Sequence, residues 1–295
     1  MKNIKQFEVV MEIARSGSIS KAAEVLNVKQ PTLSKFLLKC ESDLGFELFD
    51  RTTIPIKLTP AGERFINAGQ KIIDAYHQLE KEIADAKNNK KSIVKIGISN
   101  SRAPYMLPKI LKRFSEECPD CKIIIKEDTT SNLVNELYTG SLDLIISLLS
   151  DGTRNFLFEN LFNETILLAC PKTLEHLDVL DIIKNKPLIN SCKGQRMWNL
   201  TNMIINEVGS IEPVIECKSI GLGMSFVNKG LGSMLAPSYF AKDNKYENVV
   251  FKELPINIKN IVGSEIERKV CVFYRKKQFL TTGEKKFIEI CKKNN

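Results

Sequence analysis

The chain has 295 residues, 43% of them hydrophobic and 26% charged, which is enough for two or three domains with their own cores. Its net charge of +8 is only a weak indication of a polyanionic partner. The longest apolar run, residues 142–149, is too short to cross a bilayer, and the N-terminal residues show no signal-peptide pattern. We therefore expect a cytoplasmic protein without a membrane partner.

Apolar residues at three- and four-residue intervals predict a first helix near the N-terminus. They are Ile4, Phe7, Val10, Met11 and Ala14. Ser18 can cap a second helix over residues 20–26, because its side-chain oxygen can accept a hydrogen bond from a backbone N–H of the first turn. Asn27 and Val28 leave room only for a tight turn before Gln30 and Pro31 open a third helix, so this segment is predicted to be a helix-turn-helix.

The third helix has an apolar face and a polar face. The apolar face is predicted to consist of Leu33, Phe36, Leu37 and Leu38. On the polar side, Gln30, Thr32 and Ser34 are predicted to meet base edges and Lys29 and Lys35 to meet phosphates, and Pro31 belongs to the same predicted DNA-binding surface. A helix pair with a merely solvated polar face would show the same spacing, so the spacing alone leaves both interpretations open.

Two short stretches after Gly45 predict a two-stranded wing. They are residues 47–51 and 56–58, and they flank the turn formed by residues 52–55. Arg51 and Lys57 could reach phosphates or the minor groove beside the third helix. Together these elements predict a winged helix-turn-helix over residues 1–58.

Thr59 and Pro60 are a cap and a first-turn proline, and they predict a long helix that continues to about Ala86. Its apolar residues repeat every seven positions, which is typical of a coiled-coil seam. The seam consists of Phe65, Gly69, Ile72, Tyr76, Leu79, Ile83 and Ala86. An amphipathic helix packed on its own domain is the alternative. The seam predicts a homodimer, whose two-fold symmetry would match a DNA site with inverted half-sites.

A polar break at residues 87–91 predicts the boundary of a second domain over residues 90–295, where strands alternate with helices as in an α/β fold with a parallel sheet. The predicted strands are 93–98, 122–127, 143–148, 164–170, 187–190, 213–217, 233–236 and 269–275. The predicted helices are 105–117, 133–139, 197–208, 221–229 and 284–292. This order predicts two α/β lobes, one over about 92–162 plus 267–295 and the other over about 163–266.

Polar residues follow several of the predicted strands. Because ligands gather at the carboxyl ends of parallel strands, these residues predict a binding site for a small, anionic molecule. The candidates are Ser99, Asn100, Ser101, Arg102, Thr129, Ser131, Ser147 and Ser191. Taken singly, each hydroxyl could simply cap a helix, so the prediction depends on their convergence at one edge.

The first domain resembles the N-terminus of LysR-type transcriptional regulators. The resemblance rests on Phe7, Gly17 to Ser20, Ala22, Ala23, Leu26, Gln30, Pro31, Leu33, Ser34, Leu44, Gly45, Leu48, Phe49, Arg51, Leu58, Thr59 and Gly62. Looser matches continue through Leu107, Pro108, Pro119, Gly140, Asp143 and residues 227–237. Two positions depart from the family pattern: Lys29 replaces a usual capping serine, and Cys40 replaces a usual leucine.

The resemblance implies a complete architecture and a function. It implies a winged helix-turn-helix, a dimerising helix over residues 59–89, and a two-lobed effector domain resembling periplasmic binding proteins. It also implies that Ser99 and Thr129 contact a small-molecule effector, that the assembly is a homodimer or homotetramer on double-stranded DNA, and that an activator would contact RNA polymerase. No cofactor is expected.

Other functions receive less support. Cys118 and Cys121 form a C-x-x-C, but they follow a predicted helix, whereas redox motifs of this spacing open one, and no further ligands suggest zinc. A thiol-based redox-sensing regulator remains an alternative, with Cys192 and Cys217 as further candidates. His77 and His176 lack a nucleophile pattern, so no enzyme is predicted. A stand-alone solute-binding protein is disfavoured by the helix-turn-helix.

Overall fold

The computed structural model describes residues 4–86, 93–209, 212–242, 245–276 and 278–293. The chain divides into two compact units, residues 1–89 and 90–295. The predicted break at 87–91 lies outside the described residues. Within the described ranges, no helix is both long enough and apolar enough to span a bilayer.

The first unit contains four helices and a small hairpin among its described residues. They are α1 (Ile4–Ser16), α2 (Ile19–Val25), α3 (Gln30–Leu44), β1 (Phe49–Asp50), β2 (Lys57–Leu58) and α4 (Pro60–Ala86). Ser18 caps α2 by accepting from the Lys21 N–H, as predicted. Thr59 likewise caps α4, since its Oγ1 accepts from the Gly62 N–H at 3.0 Å. The two strands are shorter than predicted, with Phe49 opposite Leu58 and Asp50 opposite Lys57.

The core of this unit lies between α1, α2, α3 and the hairpin. Val10, Ile13, Leu37, Leu48 and Phe49 are fully buried there. The prediction for Leu38 was wrong: its side chain is 49% exposed, because one step along the helix from Leu37 turns it by about 100° away from the core. Cys40, which stands where the resemblance implies a leucine, is buried.

The second unit alternates strands and helices. Its strands are β3 (Ile93–Ile98), β4 (Lys122–Glu127), β5 (Leu144–Leu148), β6 (Leu157–Pro171), β7 (Ile189–Ser191), β8 (Ile215–Cys217), β9 (Met234–Pro237), β10 (Val249–Glu253) and β11 (Glu267–Tyr274). Its helices are α5 (Ala103–Glu117), α6 (Thr130–Tyr138), α7 (Val179–Asn185), α8 (Arg196–Val208), α9 (Ile220–Asn228), α10 (Ile256–Val262) and α11 (Thr282–Lys293).

Sequence reasoning missed α7, β10 and α10 and predicted only the second half of β6. The start of α7 carries a readable signal, since Asp178 caps it through the Leu180 N–H. The first half of β6 mixes polar and apolar residues without strict alternation, so its strand character depends on its partner in the sheet.

One seven-stranded sheet runs through the whole second unit, in the order β10-β6-β11-β5-β3-β4, with β9 also paired to β6. Strands β3, β4 and β5 are parallel, whereas β6 and β11 are antiparallel to each other. The first half of β6 pairs with β11 and its second half with β9 and β10. Strand β6 therefore belongs to both halves of the unit.

Two sets of buried clusters define the two lobes. In the first lobe, β3, β5, α5 and α11 enclose Ile96, Ile98, Phe114 and Phe287. In the second lobe, β6, α7, α8 and α10 enclose Leu168, Ile182, Ile204 and Ile258. The short parallel pair β7 and β8 and helix α9 complete the second lobe.

Candidate nucleic-acid interface and ligand site

Helix α3 presents its first turns to solvent. Lys29 occupies the N-cap position without a side-chain cap bond, as its replacement of serine predicts. Lys29, Gln30, Pro31, Thr32 and Lys35 are exposed, and Ser34 is half-buried. Leu33 and Leu37 point into the core, so amide, hydroxyl and ammonium groups form the outer face, as major-groove contacts require.

Arg51 has a partner within the domain. Its guanidinium donates to the buried carboxylate of Glu41, which also accepts from the Leu48 N–H at 2.8 Å and the Phe49 N–H at 3.3 Å. Glu41 thereby ties α3 to the hairpin. Arg51 thereby helps to hold the wing in place, and because its side chain stays 40% exposed, its phosphate contact stays a prediction. Lys57 is exposed beside it.

Helix α4 carries the predicted dimer seam in two distinct parts. Phe65 stacks on Phe7 of α1 with ring centroids 5.0 Å apart, and a Cβ on Gly69 would lie 2.3 Å from the Phe7 ring. These two positions therefore pack within the chain, which corrects their predicted seam role. Farther along, Ile72, Tyr76, Leu79 and Ile83 are 46%, 41%, 51% and 45% exposed. The side chain of Ala86 lies outside the description.

Three predicted ligand residues meet at one edge of the first lobe. In the parallel register, Ile98 lies opposite both Glu127 and Ile146. Ser99 directly follows Ile98, Ser147 directly follows Ile146, and Thr129 comes two residues after Glu127. The carboxyl ends of β5, β3 and β4 thus bring Ser99, Thr129 and Ser147 to the same edge.

The hydroxyls at this edge differ in availability. Thr129 is exposed and caps α6, accepting from the Asn132 N–H at 3.5 Å. Ser131 is exposed in the first turn of the same helix. Ser147 is buried and donates to Thr130 Oγ1 at 3.5 Å, so it supports the edge from beneath.

The segment before α5 uses most of its backbone donors internally. The N–H groups of Arg102 and Ala103 both donate to the Ser99 carbonyl at 3.0 Å, and those of Tyr105 and Met106 donate to the Arg102 carbonyl at 3.1 Å. In the described chain, the N–H groups of Asn100 and Ser101 have no acceptor. An anion at this turn would therefore meet two N–H groups and the side chains of Ser99, Asn100 and Ser101.

The guanidinium of Arg102 is not an open anion seat, contrary to expectation. Its Nη2 donates to Glu164 Oε1 at 3.0 Å and Oε2 at 2.9 Å. Arg268 lies opposite Glu164 in the β6–β11 register, and its Nη2 donates to the same carboxylate. All three residues are buried, and burial lowers the pKa of Arg268 from its ordinary value.

This buried cluster holds one positive charge more than its internal carboxylate balances. Nε of Arg102 and Nε of Arg268 are buried without an acceptor among the described residues. The remaining contact of Arg268 is a weak one, from Nη1 to the Met197 sulfur at 3.8 Å. Sequence reasoning missed Glu164 and Arg268, because their pairing depends on the register of two strands about a hundred residues apart.

Aromatic residues tie the start of α5 to the second lobe. Tyr239 donates from its hydroxyl to the Ser101 carbonyl at 3.3 Å, and burial raises the pKa of this phenol. Tyr105 packs on Tyr239 and Phe240 with centroids 5.0 and 4.7 Å apart. Its hydroxyl lies 3.1 Å from that of Tyr246. The segment that carries Ser99 to Arg102 is thereby anchored to both lobes.

Ser191 lies in the second lobe, at the carboxyl end of β7. It is buried, and its Oγ has no hydrogen-bond partner in the part of the chain described. Its strand neighbour in β8 is Cys217, and Cys192 follows directly. Burial and the nearby Cys192 raise the pKa of Cys217.

Cys118 and Cys121, the two C-x-x-C residues, are partly buried and pack against the first-lobe core. Burial, followed by the neighbouring Cys121, raises the pKa of Cys118. Within the described ranges, no group of three or more potential metal ligands occurs. The side chain of His77 is outside the description.

Comparison with known proteins gives matches along the whole chain. A family model described as "Bacterial regulatory helix-turn-helix protein, lysR family" matches residues 4–63, and one described as "LysR substrate binding domain" matches residues 87–295.

Individual relatives agree with these matches. The uncharacterized HTH-type transcriptional regulator YcgK of Bacillus subtilis is 26% identical over 99% of this chain and 94% of its own length. The hydrogen peroxide-inducible genes activator of Haemophilus influenzae is 29% identical over 67% of this chain and 64% of its own. In fold, the chain is similar to a cysteine-to-aspartate variant of full-length OxyR from Pseudomonas aeruginosa, with a TM-score of 0.69, 22% identity and coverage of 99% and 94%.

Proposed function

The chain belongs to the LysR family of bacterial transcription regulators, and on that premise we propose that a small, anionic metabolite at the carboxyl edge of the first lobe controls how this DNA-binding protein binds or bends its site. The observation that carries the proposal is the convergence of Ser99 and Thr129 at one strand edge, beside a buried cluster with an excess positive charge.

The charge cluster favours an anion without touching it. Arg102 and Arg268 are neutralised only in part by Glu164, and Arg102 Nη1 donates to Ser99 Oγ at 3.5 Å, so the excess positive charge adjoins the turn that holds Ser99. Hydroxyl and amide groups at Ser99, Asn100 and Ser101 then supply the direct hydrogen bonds. Such a site suits a carboxylate-bearing metabolite and needs neither a cofactor nor turnover.

Binding would act on DNA through the relative arrangement of the lobes. The turn before α5 contacts the second lobe through Tyr239 and Tyr105, so a ligand at Ser99 biases those contacts. In a homodimer, or a homotetramer built from it, this bias alters the spacing of two DNA-reading units and hence the bend between inverted half-sites. RNA polymerase recruitment would change with the bend.

A thermal-shift screen of the full-length protein against carboxylates and amino acids tests this proposal. A ligand that binds only the folded state raises the melting temperature by mass action. The shift should vanish in Ser99→Phe and Thr129→Phe and persist in Ser115→Phe, an exposed position near the other end of α5. An unchanged response in the first two variants would refute the placement.

A second candidate function is thiol-based redox sensing, which the neighbouring Cys192 and Cys217 favour. A hydroperoxide would oxidise the more exposed Cys192 to a sulfenic acid, and Cys217 would then displace water to form a disulfide. In this case the melting temperature or the DNA affinity changes with peroxide and returns with reductant, and Cys192→Ser abolishes both changes. If peroxide changes neither the melting temperature nor the DNA affinity of the wild-type protein, this function is ruled out.

A further inference from the structure

The tip of the wing carries the most exposed large apolar side chain of the described residues. Ile54 is 98% exposed, and the next in rank, Ile256, is 72% exposed. Ile54 therefore contributes almost nothing to the core of its own unit. Its side chain is available in full to a partner.

The hairpin holds this tip firmly. Thr52 donates to Asp50 Oδ1 from its N–H at 2.9 Å and from its hydroxyl at 2.6 Å. On the other side, the Thr53 hydroxyl donates to the Pro55 carbonyl at 3.1 Å. These bonds fix the backbone on both sides of Ile54, so little conformational entropy remains to be lost when its side chain is buried.

The wing is also fixed to the turn in front of α2. The Ile56 N–H donates to the Gly17 carbonyl at 3.1 Å, and a Cβ on Gly17 would meet Pro55 Cβ at 3.0 Å. At the base of the wing, the Glu41 carboxylate of α3 accepts from the Leu48 N–H and from the Phe49 N–H of β1. The tip is therefore held in a set position relative to the helix-turn-helix.

The charges of the wing lie at its base and not at its tip. Residues 52–56 contain no ionisable side chain, whereas the cations Arg51 and Lys57 and the carboxylate of Asp50 flank them. A wing with this pattern can place cations against two phosphate strands and direct an apolar group between them. Isoleucine and proline are among the side chains that enter minor grooves and separate stacked base pairs.

We propose that Ile54 is a wedge, inserted from the minor groove between two base pairs beside the half-site, which kinks the DNA at that step. This inference rests on the DNA-binding function of the chain. Because pyrimidine–purine steps unstack most easily, the wedge also selects such a step at a position where no base edge is read. Ile54 thus contributes specificity through DNA deformability.

The test begins with a duplex that the wild-type full-length protein selects from a pool of random sequence. Bend angle is measured by energy transfer between dyes at the duplex ends, and affinity by titration at several salt concentrations. Ile54→Ala should lose the kink and weaken binding by roughly three- to thirtyfold, the net of lost apolar burial and recovered base stacking. Its salt dependence should not change, because no phosphate contact is lost.

Three further variants separate a wedge from other roles. Ile54→Leu should keep the kink, and Ile54→Arg should add about one unit to the salt slope without restoring the kink. Val25→Ala, another exposed apolar position of the same unit at 58%, should leave both quantities unchanged. All variants should have the same melting temperature as the wild type, since these side chains lie largely in solvent.

The outcomes distinguish the wedge from the regulator assignment. A wild-type protein that enriches no duplex would overturn both. If the wild type selects a duplex that Ile54→Ala binds and bends equally well, the wedge alone is overturned. The exposed tip would then be a contact site for another protein.

Discussion

Individual side chains in the second unit show how a buried charge determines the effect of a mutation. Arg102 and Arg268 share the single carboxylate of Glu164, and all three side chains are at most 7% exposed. Removing the carboxylate leaves two buried cations, whereas removing one arginine leaves a neutral pair. Substitution of Glu164 should therefore lower the free energy of unfolding much more than substitution of Arg268.

We predict that Glu164→Gln lowers the free energy of unfolding by about 3–5 kcal/mol, because it leaves uncompensated buried charge. Arg268→Met should cost far less, since Arg102 and Glu164 remain paired in an apolar setting. Urea unfolding of the full-length protein measures both, and the fluorescence of the single tryptophan, Trp198, reports on the second unit alone. The reverse order of costs would contradict this interpretation of the cluster.

The polar face of α3 gives a second prediction for single residues. Lys35→Ala should weaken binding to all duplexes and reduce the salt slope by about one, because a phosphate contact is lost. Gln30→Ala should instead relax sequence preference with little change in slope, because a base-edge contact is lost. Competition titrations with matched and scrambled duplexes measure both effects, and identical behaviour of the two variants would refute the division of roles.

At the scale of elements, α4 has two functions along its length. Its first turns pack on α1 through Phe65 and Gly69, and its later turns present an exposed apolar stripe from Ile72 to Ile83. The seven-residue repeat in the sequence runs through both parts and does not distinguish them. They differ in that the first part contacts Phe7 of the same chain.

We predict that Leu79→Glu dissociates the dimer while leaving the fold intact, because the stripe has no role in the core of its own chain. Sedimentation velocity should show a smaller species. Asn67→Glu, on the opposite face of α4, is the matched control and should sediment like the wild type. Gly69→Ala should act differently, by lowering the unfolding temperature, because its Cβ would overlap the Phe7 ring at 2.3 Å.

The elements also show what a sequence can and cannot reveal about the ligand edge. Ser99 and Thr129 could be placed because parallel strands end at a common edge whatever their neighbours are. The partner of Arg102 could not, because Glu164 is 62 residues away and its position depends on how β6 pairs with β11, which no local sequence pattern predicts. Leu38 was misassigned because an apolar residue indicates burial without proving it.

At the scale of the whole molecule, helix α11 packs against α5 and completes the core of the first lobe. Phe287 meets Phe114 of α5 with centroids 5.8 Å apart, and Lys286 binds Glu117 at 2.6 Å. Lys286 and Arg113 lower the pKa of Glu117 from its ordinary 4.5 to about 2. The charged carboxylate therefore favours the folded state.

Because the folded-state pKa is depressed, the contribution of Glu117 is fully present above pH 4.5 and is lost as the pH falls toward 2. We predict that Glu117→Gln lowers the melting temperature by a constant amount between pH 7 and about pH 5, and that this difference shrinks below that range. Thermal unfolding of both proteins across the range measures the difference. A gap that widened in acid would contradict the sign of the shift.

The continuity of β6 through both lobes has a mechanical consequence. No glycine occurs in β6, so one unbroken β-segment joins the lobes, and Arg268 of β11 holds Glu164 near the middle of it. An unbroken strand of this kind resists bending but can twist. A ligand would turn one lobe through a small angle against an elastic restoring force, and the protein would return to its resting state when the ligand leaves.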